Sequence, residues 1–244
     1  MKIIRYLILL SILLPCLSQA VIDLPLNLTK SDREESLRIL GFGTSSKILS
    51  DPFPLGGYSG FEFGVSVSSI PTNQIKTLGS KLATGQSDIS YSSFSIGKGL
   101  YNNIDVFFNL TPYVQSIQMS QFGGQLRWSF FQAENLPLSF SLLFNANSSN
   151  ISNQLSLRTY GADLIGGLNV DRVALFSGAG LVSSAGDFLG GPRGITDTGY
   201  QESESVSGVH FLFGVNVRLA DFFLNLEVDH YRDTVFSGKL GLRL

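Results

Sequence analysis

The stretch that decides the fold is residues 209–219, which read VHFLFGVNVRL. Every second residue in it is apolar, and the residues between are mostly polar or small. The alternation restarts after a short break at residues 222–229, FFLNLEVD, and again at residues 236–244, FSGKLGLRL. Side chains on a β-strand point to opposite faces with a period of two. The end of the chain therefore predicts three strands of an antiparallel meander, each with one apolar and one polar face.

The length of these strands indicates which way the apolar face points. Each run covers roughly ten residues, which is the length that a tilted strand needs to cross a bilayer. Strands of soluble domains are usually about five or six residues long. The pattern favours an all-β transmembrane barrel with lipid outside and a polar lumen. The alternative is a secreted or periplasmic soluble all-β binding module whose apolar face forms an internal core.

The composition agrees with a barrel embedded in a membrane. Charged residues make up 15% of the 244 residues, well below the roughly one quarter typical of soluble proteins. The mature chain contains no apolar run long enough for a transmembrane helix. The formal net charge of −2 shows no basic excess, so nucleic acid is not an expected partner.

The first twenty residues have the features of a secretory signal peptide. Lys2 and Arg5 form a positive region, residues 6–14 are apolar, and residues 18–20, SQA, form a small-x-small cleavage site. We expect cleavage after Ala20, which would remove Cys16, the one cysteine of the sequence. Acylation of Cys16, as in a bacterial lipoprotein, is the alternative, and it is disfavoured because Pro15 stands where that signal needs a small residue.

Residues 21–58 differ from the rest of the chain and are interpreted as a separate N-terminal segment. Their apolar spacing predicts a short amphipathic helix near residues 31–40, with Ser31 and Glu34 as a capping box and Gly41 as a stop. An irregular Gly/Pro stretch follows at residues 52–57. This segment could plug the barrel, cover its periplasmic mouth, form a loosely ordered leader or bind a partner.

The alternation from Gly60 onward predicts seven further strands, which makes ten in all, with eight or twelve as alternatives. Their approximate bounds are 60–67, 88–96, 104–110, 116–131, 138–144, 154–168 and 173–182. The predicted connections after strands two, four, six and eight are short. Those after strands one, five and seven are predicted to be long, at residues 70–87, 145–153 and 183–205. The last of these is acidic, which could attract cations or only keep the loop solvated.

An even number of strands, short turns on one side and longer loops on the other resemble the bacterial outer-membrane β-barrel superfamily. The resemblance covers residues 59–244 together with the leader, and implies an integral barrel in the outer membrane of a Gram-negative bacterium. One departure is the last residue, Leu244, where such barrels often have an aromatic residue. Four aromatic residues could belong to interfacial girdles: Tyr113, Trp128, Tyr160 and Tyr231.

The candidate site is the set of polar residues on the face opposite the apolar one. The predicted lumen-lining residues are Glu62, Asp105, Arg127, Arg158, His210, Arg218, Glu227, Asp229, Lys239 and Arg243. They could line an aqueous pore and set its ion preference. They could also form a charge network that fills a narrow lumen, since barrels of about eight strands are filled by side chains. The strand number favours a mostly occluded lumen.

No catalytic residue, metal site or cofactor is predicted. Two histidines and no mature cysteine do not form a metal-ligand pattern. Some outer-membrane barrels are hydrolases, but here Asp229 and His230 are adjacent, and Ser207 and His210 are three apart. Both spacings place the two side chains on opposite faces of a strand.

The predicted function is therefore an integral outer-membrane barrel, acting as a small porin-like channel or as a structural, surface-exposed barrel. The lipid bilayer is the expected partner, small solutes or ions are possible ones, and the oligomeric state stays open. Loops on a rigid scaffold are a second place where ligands could bind.

Overall fold

The computed structural model describes residues 24–80, 88–114, 118–133 and 136–244. Ten antiparallel strands follow one another around a closed barrel, and the first strand pairs with the last. The predicted fold class, including the number of strands, is confirmed. The predicted signal peptide, with Cys16, lies outside the described residues.

All strands but the fourth are longer than the sequence pattern indicated, and the longest has 18 residues. Their bounds are β1 Phe61–Pro71, β2 Asp88–Gly99, β3 Ile104–Val114, β4 Met119–Gln132, β5 Leu138–Ile151, β6 Leu155–Val170, β7 Val173–Phe188, β8 Glu202–Leu219, β9 Phe222–His230 and β10 Thr234–Arg243. We call the barrel end formed by the connections after even-numbered strands the even mouth. The end formed by the connections after odd-numbered strands is the odd mouth.

The barrel closes where the first and last strands meet. Phe63 of β1 lies opposite Leu242 of β10, and the backbone N–H groups of Phe61 and Leu244 each donate to the other residue's carbonyl, at 2.9 and 2.8 Å. The strand β10, whose alternation continues to Leu244, thus pairs with β1 and closes the barrel. Closure gives both edge strands a partner and leaves no open sheet edge.

The apolar face of the barrel points outward. On β8, Phe211 and Phe213 are 60% and 55% exposed, whereas the intervening positions are turned inside, with His210 only 4% exposed. On β9, Leu226 is 50% exposed and Glu227 is 1% exposed. A soluble module would hide its phenylalanines and expose its charges, so the soluble alternative is not supported.

One of the predicted long loops is wrong, and another is shorter than predicted. Residues 145–151 continue β5, so only residues 152–154 connect it to β6, and the connection between β7 and β8 shrinks to residues 189–201. The outward positions of these strand ends are Ser and Asn instead of Phe and Leu, for example Ser148 and Asn150. Polar residues on both faces resemble a loop in sequence, although the backbone continues the ladder beyond the apolar part of the barrel.

The predicted helix exists but begins with a different cap. It is α1, Lys30–Ser36, and a π-helical stretch, Leu37–Gly41, continues it. The capping box is formed by Thr29 and Asp32, not by Ser31 and Glu34. Residue spacing alone allowed either pair, because both place an acid three residues after a hydroxyl. Within the part of the chain that the structure describes, no helix has the length and apolar character to cross a membrane.

The outward apolar face should be sensitive to charge at mid-height. Leu226→Arg places a cation in the middle of this face, and we expect it to lower the free energy of unfolding by about 2–4 kcal/mol in lipid vesicles. The matched variant His230→Arg changes the same face at the end of the same strand, where the expected cost is about 0–1 kcal/mol. Urea unfolding followed by Trp128 fluorescence measures both values; equal effects would contradict a lipid-facing belt.

Candidate functional site in the barrel lumen

Residues 24–60, which we call the lumen segment, run through the barrel from one mouth to the other. At the odd mouth, Leu28 forms a parallel β-bridge with Thr196 in the β7–β8 connection. At the even mouth, the backbone N–H of Gly99 donates to the carbonyl of Gly60 at 3.0 Å. The inner wall of the barrel therefore faces the lumen segment.

In the half of the lumen near the odd mouth, the contact between segment and wall is apolar. The π-helical stretch approaches β7 so closely that a Cβ on Gly41 would lie 2.1 Å from Ser184 Oγ. One buried cluster contains, from the lumen segment, Leu24, Leu28, Leu37, Ile39, Leu40 and Phe42, and from the wall Ile70, Met119, Ile151, Leu155, Leu157, Val182, Phe188 and Val206, among others. Burial of this much apolar surface stabilises the segment inside the barrel.

Arg33 attaches α1 to the wall at the odd mouth. Its side chain is 5% exposed, and its guanidinium lies 2.9 Å from Glu204 Oε1 and 2.9 Å from Asp197 Oδ1. It also donates to the carbonyl of Leu28 at 2.9 Å. These two acids of the region predicted as an acidic loop thus bind a buried cation of the chain itself.

Deeper in the lumen, a polar cluster joins the segment to β6, β8 and the β9–β10 connection. Lys47 Nζ donates to the Tyr231 hydroxyl at 2.9 Å, and that hydroxyl is hydrogen-bonded to Ser45 Oγ. The ring of His210 stacks on Tyr231 with centroids 4.6 Å apart, and its Nε2 lies 2.6 Å from Asp163 Oδ1. Burial raises the pKa of the Tyr231 hydroxyl well above its usual value. The phenol therefore keeps its proton, and either hydroxyl can be the donor of the hydrogen bond between Tyr231 and Ser45.

Glu227 of β9 binds the backbone of the segment. Its two carboxylate oxygens accept hydrogen bonds from the N–H groups of Ile48, at 3.1 Å, and Leu49, at 2.8 Å. From the opposite wall, Gln125 Nε2 donates to the carbonyl of Lys47 at 2.6 Å. Leu49 has a φ of 39°, a left-handed conformation that leucine seldom adopts. These wall contacts hold the backbone in that conformation.

Near the even mouth, Asp51 of the segment is the centre of a cationic cluster. Its side chain is 3% exposed, and its Oδ2 forms ion pairs with Arg218 and, at 3.3 Å, with Arg243. Its backbone carbonyl accepts a hydrogen bond from Arg127. Three arginines of the wall thus meet one aspartate that belongs to the segment.

Two fully buried ion pairs lie next to this cluster. Arg127 Nη2 lies 2.8 Å from Asp105 Oδ2, and Asp105 also accepts from the backbone N–H of Leu55 at 3.1 Å. Lys239 Nζ lies 2.7 Å from Glu62 Oε1. Each pair bridges neighbouring strands, and the first also attaches the segment. Buried charges need such partners because their removal from water is costly.

The structure brings nine of the ten predicted lumen residues to the inner face. Arg218 and Arg243 are partly buried there, at 36% and 22% side-chain exposure. The other seven are buried: Glu62, Asp105, Arg127, His210, Glu227, Asp229 and Lys239. The prediction that Arg158 faces the lumen is wrong, because its side chain is 64% exposed on the outer face.

The reason for the wrong placement of Arg158 is local. Its neighbours Leu157 and Thr159 are both buried, and Leu157 belongs to the apolar cluster that packs against the lumen segment. At this end of β6, the inner face carries leucines that belong to the cluster with the segment, and the outer face carries Ser156 and Arg158. The rule that polar residues face the lumen is therefore inverted there.

Several contact residues have no individual signal in the sequence. Asp51 lies in an irregular stretch without periodicity, and Asp163 lies in a strand whose glycines obscure the two faces. Gln121 and Gln125 do alternate with apolar residues on β4, but this alternation gives no sign that they donate to carbonyl groups of the segment. A hydrogen bond between distant parts of the chain leaves no periodic trace.

A cavity of about 200 Å³, lined by Asp51, Arg218 and Arg243 among others, lies beside the segment near the even mouth. A smaller cavity of about 30 Å³ lies between residues 45–49 and the walls of β1–β4 and β10, which is room for about two water molecules. Ser66, Ser95, Lys239 and other polar side chains line it. Among the described residues, no group of three or more His, Cys, Asp or Glu side chains is placed to hold a metal ion.

No protein-family model and no curated protein matches this sequence. Solved structures with a similar fold are outer-membrane β-barrels. The N-terminal β-barrel domain of Pseudomonas aeruginosa OprF is 9% identical, with a TM-score of 0.38 over 77% of this chain and 97% of that one. Yersinia pestis Ail, the attachment invasion locus protein, in complex with a heparin analogue is 14% identical, with a TM-score of 0.30 over 76% and 97%. The KdgM porin is 9% identical, with a TM-score of 0.38 over 74% and 98%.

The buried pair between Asp105 and Arg127 offers a direct test of the segment's attachment. Asp105→Ala leaves a buried arginine without its carboxylate and removes the acceptor for Leu55, so we expect the free energy of unfolding to fall by about 3–5 kcal/mol. The control is Glu34→Ala, which removes the exposed partner of Lys30 and should change stability by less than about 1 kcal/mol. Chemical unfolding in detergent micelles compares the two; similar values would show that the buried pair does not stabilise the fold.

Proposed function

We propose that this protein is an integral outer-membrane barrel that its own lumen segment seals, and that it acts as a structural, surface-exposed barrel without catalysis. The proposal includes residues 21–58 as a plug domain, residues 59–244 as the transmembrane barrel, and export through a cleaved leader of residues 1–20 in a Gram-negative bacterium.

The outward face supports the membrane location. Phe, Leu and Val side chains are exposed on strand after strand, among them Phe63, Phe108, Phe144, Leu164 and Phe236. In water, an apolar surface of this extent would drive aggregation. In lipid it is favourable, and closure of the barrel gives every strand a neighbour on both sides.

The observation that carries the sealed state is the continuous series of contacts between segment and wall. It begins at Arg33 with Glu204 and Asp197, continues through Glu227 with the backbone at residues 48–49, and ends at Asp51 with Arg218. Because these contacts follow one another from the odd mouth to the even mouth, the lumen has a chain segment where an open porin has water.

The connections support an orientation. Those at the even mouth are short, at residues 100–103, 133–137, 171–172 and 220–221, and the two longest, residues 72–87 and 189–201, lie at the odd mouth. Outer-membrane barrels place short turns in the periplasm and longer loops outside. The odd mouth, with α1, would then face the cell exterior. This differs from a segment confined to the periplasmic mouth.

The absence of catalysis is part of the proposal. Asp229 is buried while the adjacent His230 is exposed on the other face, as their spacing predicted. His210 faces the lumen and Ser207 the outside. Lumen carboxylates such as Glu62, Asp105 and Glu227 are already paired with a cation of the wall or with the segment, which suits attachment better than reaction with a substrate.

A second candidate function, a gated channel, is favoured by one observation. In the half of the lumen near the even mouth, the segment is held by hydrogen bonds and ion pairs, such as those of Asp51 and Glu227. Water can replace contacts of this kind at little net cost, whereas the apolar cluster near the odd mouth resists hydration. A gated channel would open only when that cluster also separates.

Single-channel recording in planar bilayers tests the sealed state. We expect no conductance steps from the wild-type protein, because the segment fills the lumen, and clear steps from a variant that lacks residues 24–55. The variant's faster migration on a gel before heating serves as the control for a folded barrel. Steady wild-type conductance would contradict the seal; brief openings that become more frequent in Glu227→Ala would favour the gated channel.

Cysteine labelling on intact cells tests the orientation. In a Cys16→Ser background, Lys30→Cys should react with a membrane-impermeant maleimide, because Lys30 is exposed at the odd mouth. Arg172→Cys in the β6–β7 turn is the matched variant at the even mouth, and should react only after the outer membrane is permeabilised. The reverse pattern would mean that the barrel has the opposite orientation.

A further inference from the structure

An open groove crosses the outer face of β6, β7 and β8. Its volume is about 610 Å³, and its lining is mostly apolar. Small residues, including Ser183, Ser207 and Gly208, form its floor. The groove lies on the outside of the wall, away from the lumen segment.

The strand register explains the shape of the groove. Tyr160, Ser183 and Ser207 lie in one row across the three strands. The next row toward the even mouth contains Leu181 and Val209. Tyr160, Leu181 and Val209 project outward and are 58%, 65% and 57% exposed. Ser207 donates to Ser183 Oγ at 3.1 Å, so the floor between these larger side chains is formed by paired hydroxyls.

The groove lies at one end of the lipid-facing belt. On β6 the outward residues from Val170 to Tyr160 are apolar or glycine, with Leu164 and Leu168 among them. Ten residues at roughly 3.3 Å each and a tilt of about 40° span about 25 Å, the height of the apolar band of such barrels. Tyr160 is thus at the boundary where aromatic residues meet lipid headgroups.

Arg158 stands immediately beyond that boundary, on the same face. Its side chain is 64% exposed, and its one ion pair is a long contact of 3.6 Å with Asp187. Asp187 is shared, because its Oδ1 accepts from Ser203 at 2.6 Å. Among the strand residues that the structure describes, the other outward-facing cation, Lys98, is at the even mouth. Among the described strand residues, Arg158 is therefore the outward-facing cation at the odd-mouth end of the belt.

We propose that the groove binds one phosphate-bearing lipid of the outer leaflet, with an acyl chain over Ser183 and Ser207 and the phosphate at Arg158. This inference rests on the proposed membrane location and orientation. The groove is continuous with the lipid-facing belt, and a cation at its polar end complements an anionic headgroup. An apolar surface without a charge at its end would fit any acyl chain; Arg158 makes the site selective for a lipid whose phosphate leaves the headgroup with a net negative charge.

Native mass spectrometry of the detergent-solubilised protein tests the site, with lipid A as the anionic probe and phosphatidylcholine as the reference, because the choline group of the latter balances the charge of its phosphate. We expect wild-type protein to retain one lipid A in preference to phosphatidylcholine. Arg158→Gln should lower the lipid A occupancy roughly fivefold, since a basic residue near the headgroups contributes on the order of 1 kcal/mol. Asp187→Ala should raise it, because the competing carboxylate is removed.

Two matched pairs of variants separate the groove from general effects. Ser207→Phe fills the floor and should lower lipid A binding, whereas Ser177→Phe adds the same side chain elsewhere on the outer face and should not. Arg172→Gln removes a cation at the even mouth and should also have no effect. Faster migration before heating identifies the variants that fold.

The outcomes separate this inference from the proposed function. If Arg158→Gln and Ser207→Phe bind lipid A as the wild type does, while all proteins insert into membranes, only the lipid site is wrong. Equal losses in Arg158→Gln and Arg172→Gln would also overturn the site, since binding would then follow total charge. If the wild-type protein is released from membranes by alkaline wash, the proposed function itself fails.

Discussion

Charged residues inside a narrow barrel need partners, and in this protein a segment of the same chain supplies many of them. Glu227 accepts from two backbone N–H groups of the segment, and Asp51 lies between Arg218 and Arg243. Without the segment, these wall residues would face one another with like charges or depend on water. The identity of the wall residues and the path of the segment are therefore a single constraint, because each is unfavourable without the other.

The lumen has two parts that hold the segment by different interactions. Near the odd mouth, Leu37, Leu40 and Phe42 pack against inward-facing apolar residues of the wall, as in the core of a soluble domain. Near the even mouth, carboxylates, guanidinium groups and amides hold an extended backbone. The first part stabilises the fold because it removes apolar surface from water. The second part fixes the position of the segment along the wall, since hydrogen bonds form only between groups at defined positions. Together they fix one path for the segment.

The same division explains the outer surface. Where the inner face is polar, the outward positions are Phe, Leu and Val, and the strands there are suited to lipid. Beyond the belt, the outward positions include Ser, Asn and Arg158, while inward residues such as Leu157 and Val182 are apolar and belong to the cluster that contains the segment. On β6, the strand therefore continues past the membrane region with its pattern reversed. This reversal moves Arg158 to the edge of the lipid-facing groove.

The sequence by itself determined the antiparallel ladder, the number of strands, the outward stripe of apolar residues and nine of the ten inward polar positions, because a period of two is a local property of a strand. It also determined the short helix, although not its cap, since Thr29 with Asp32 and Ser31 with Glu34 have the same spacing. Only the tertiary structure decided the strand ends, the face of Arg158 and the path of the lumen segment. These depend on contacts such as that of Glu227 with Ile48, which join residues far apart in the chain and leave no periodic pattern in the sequence.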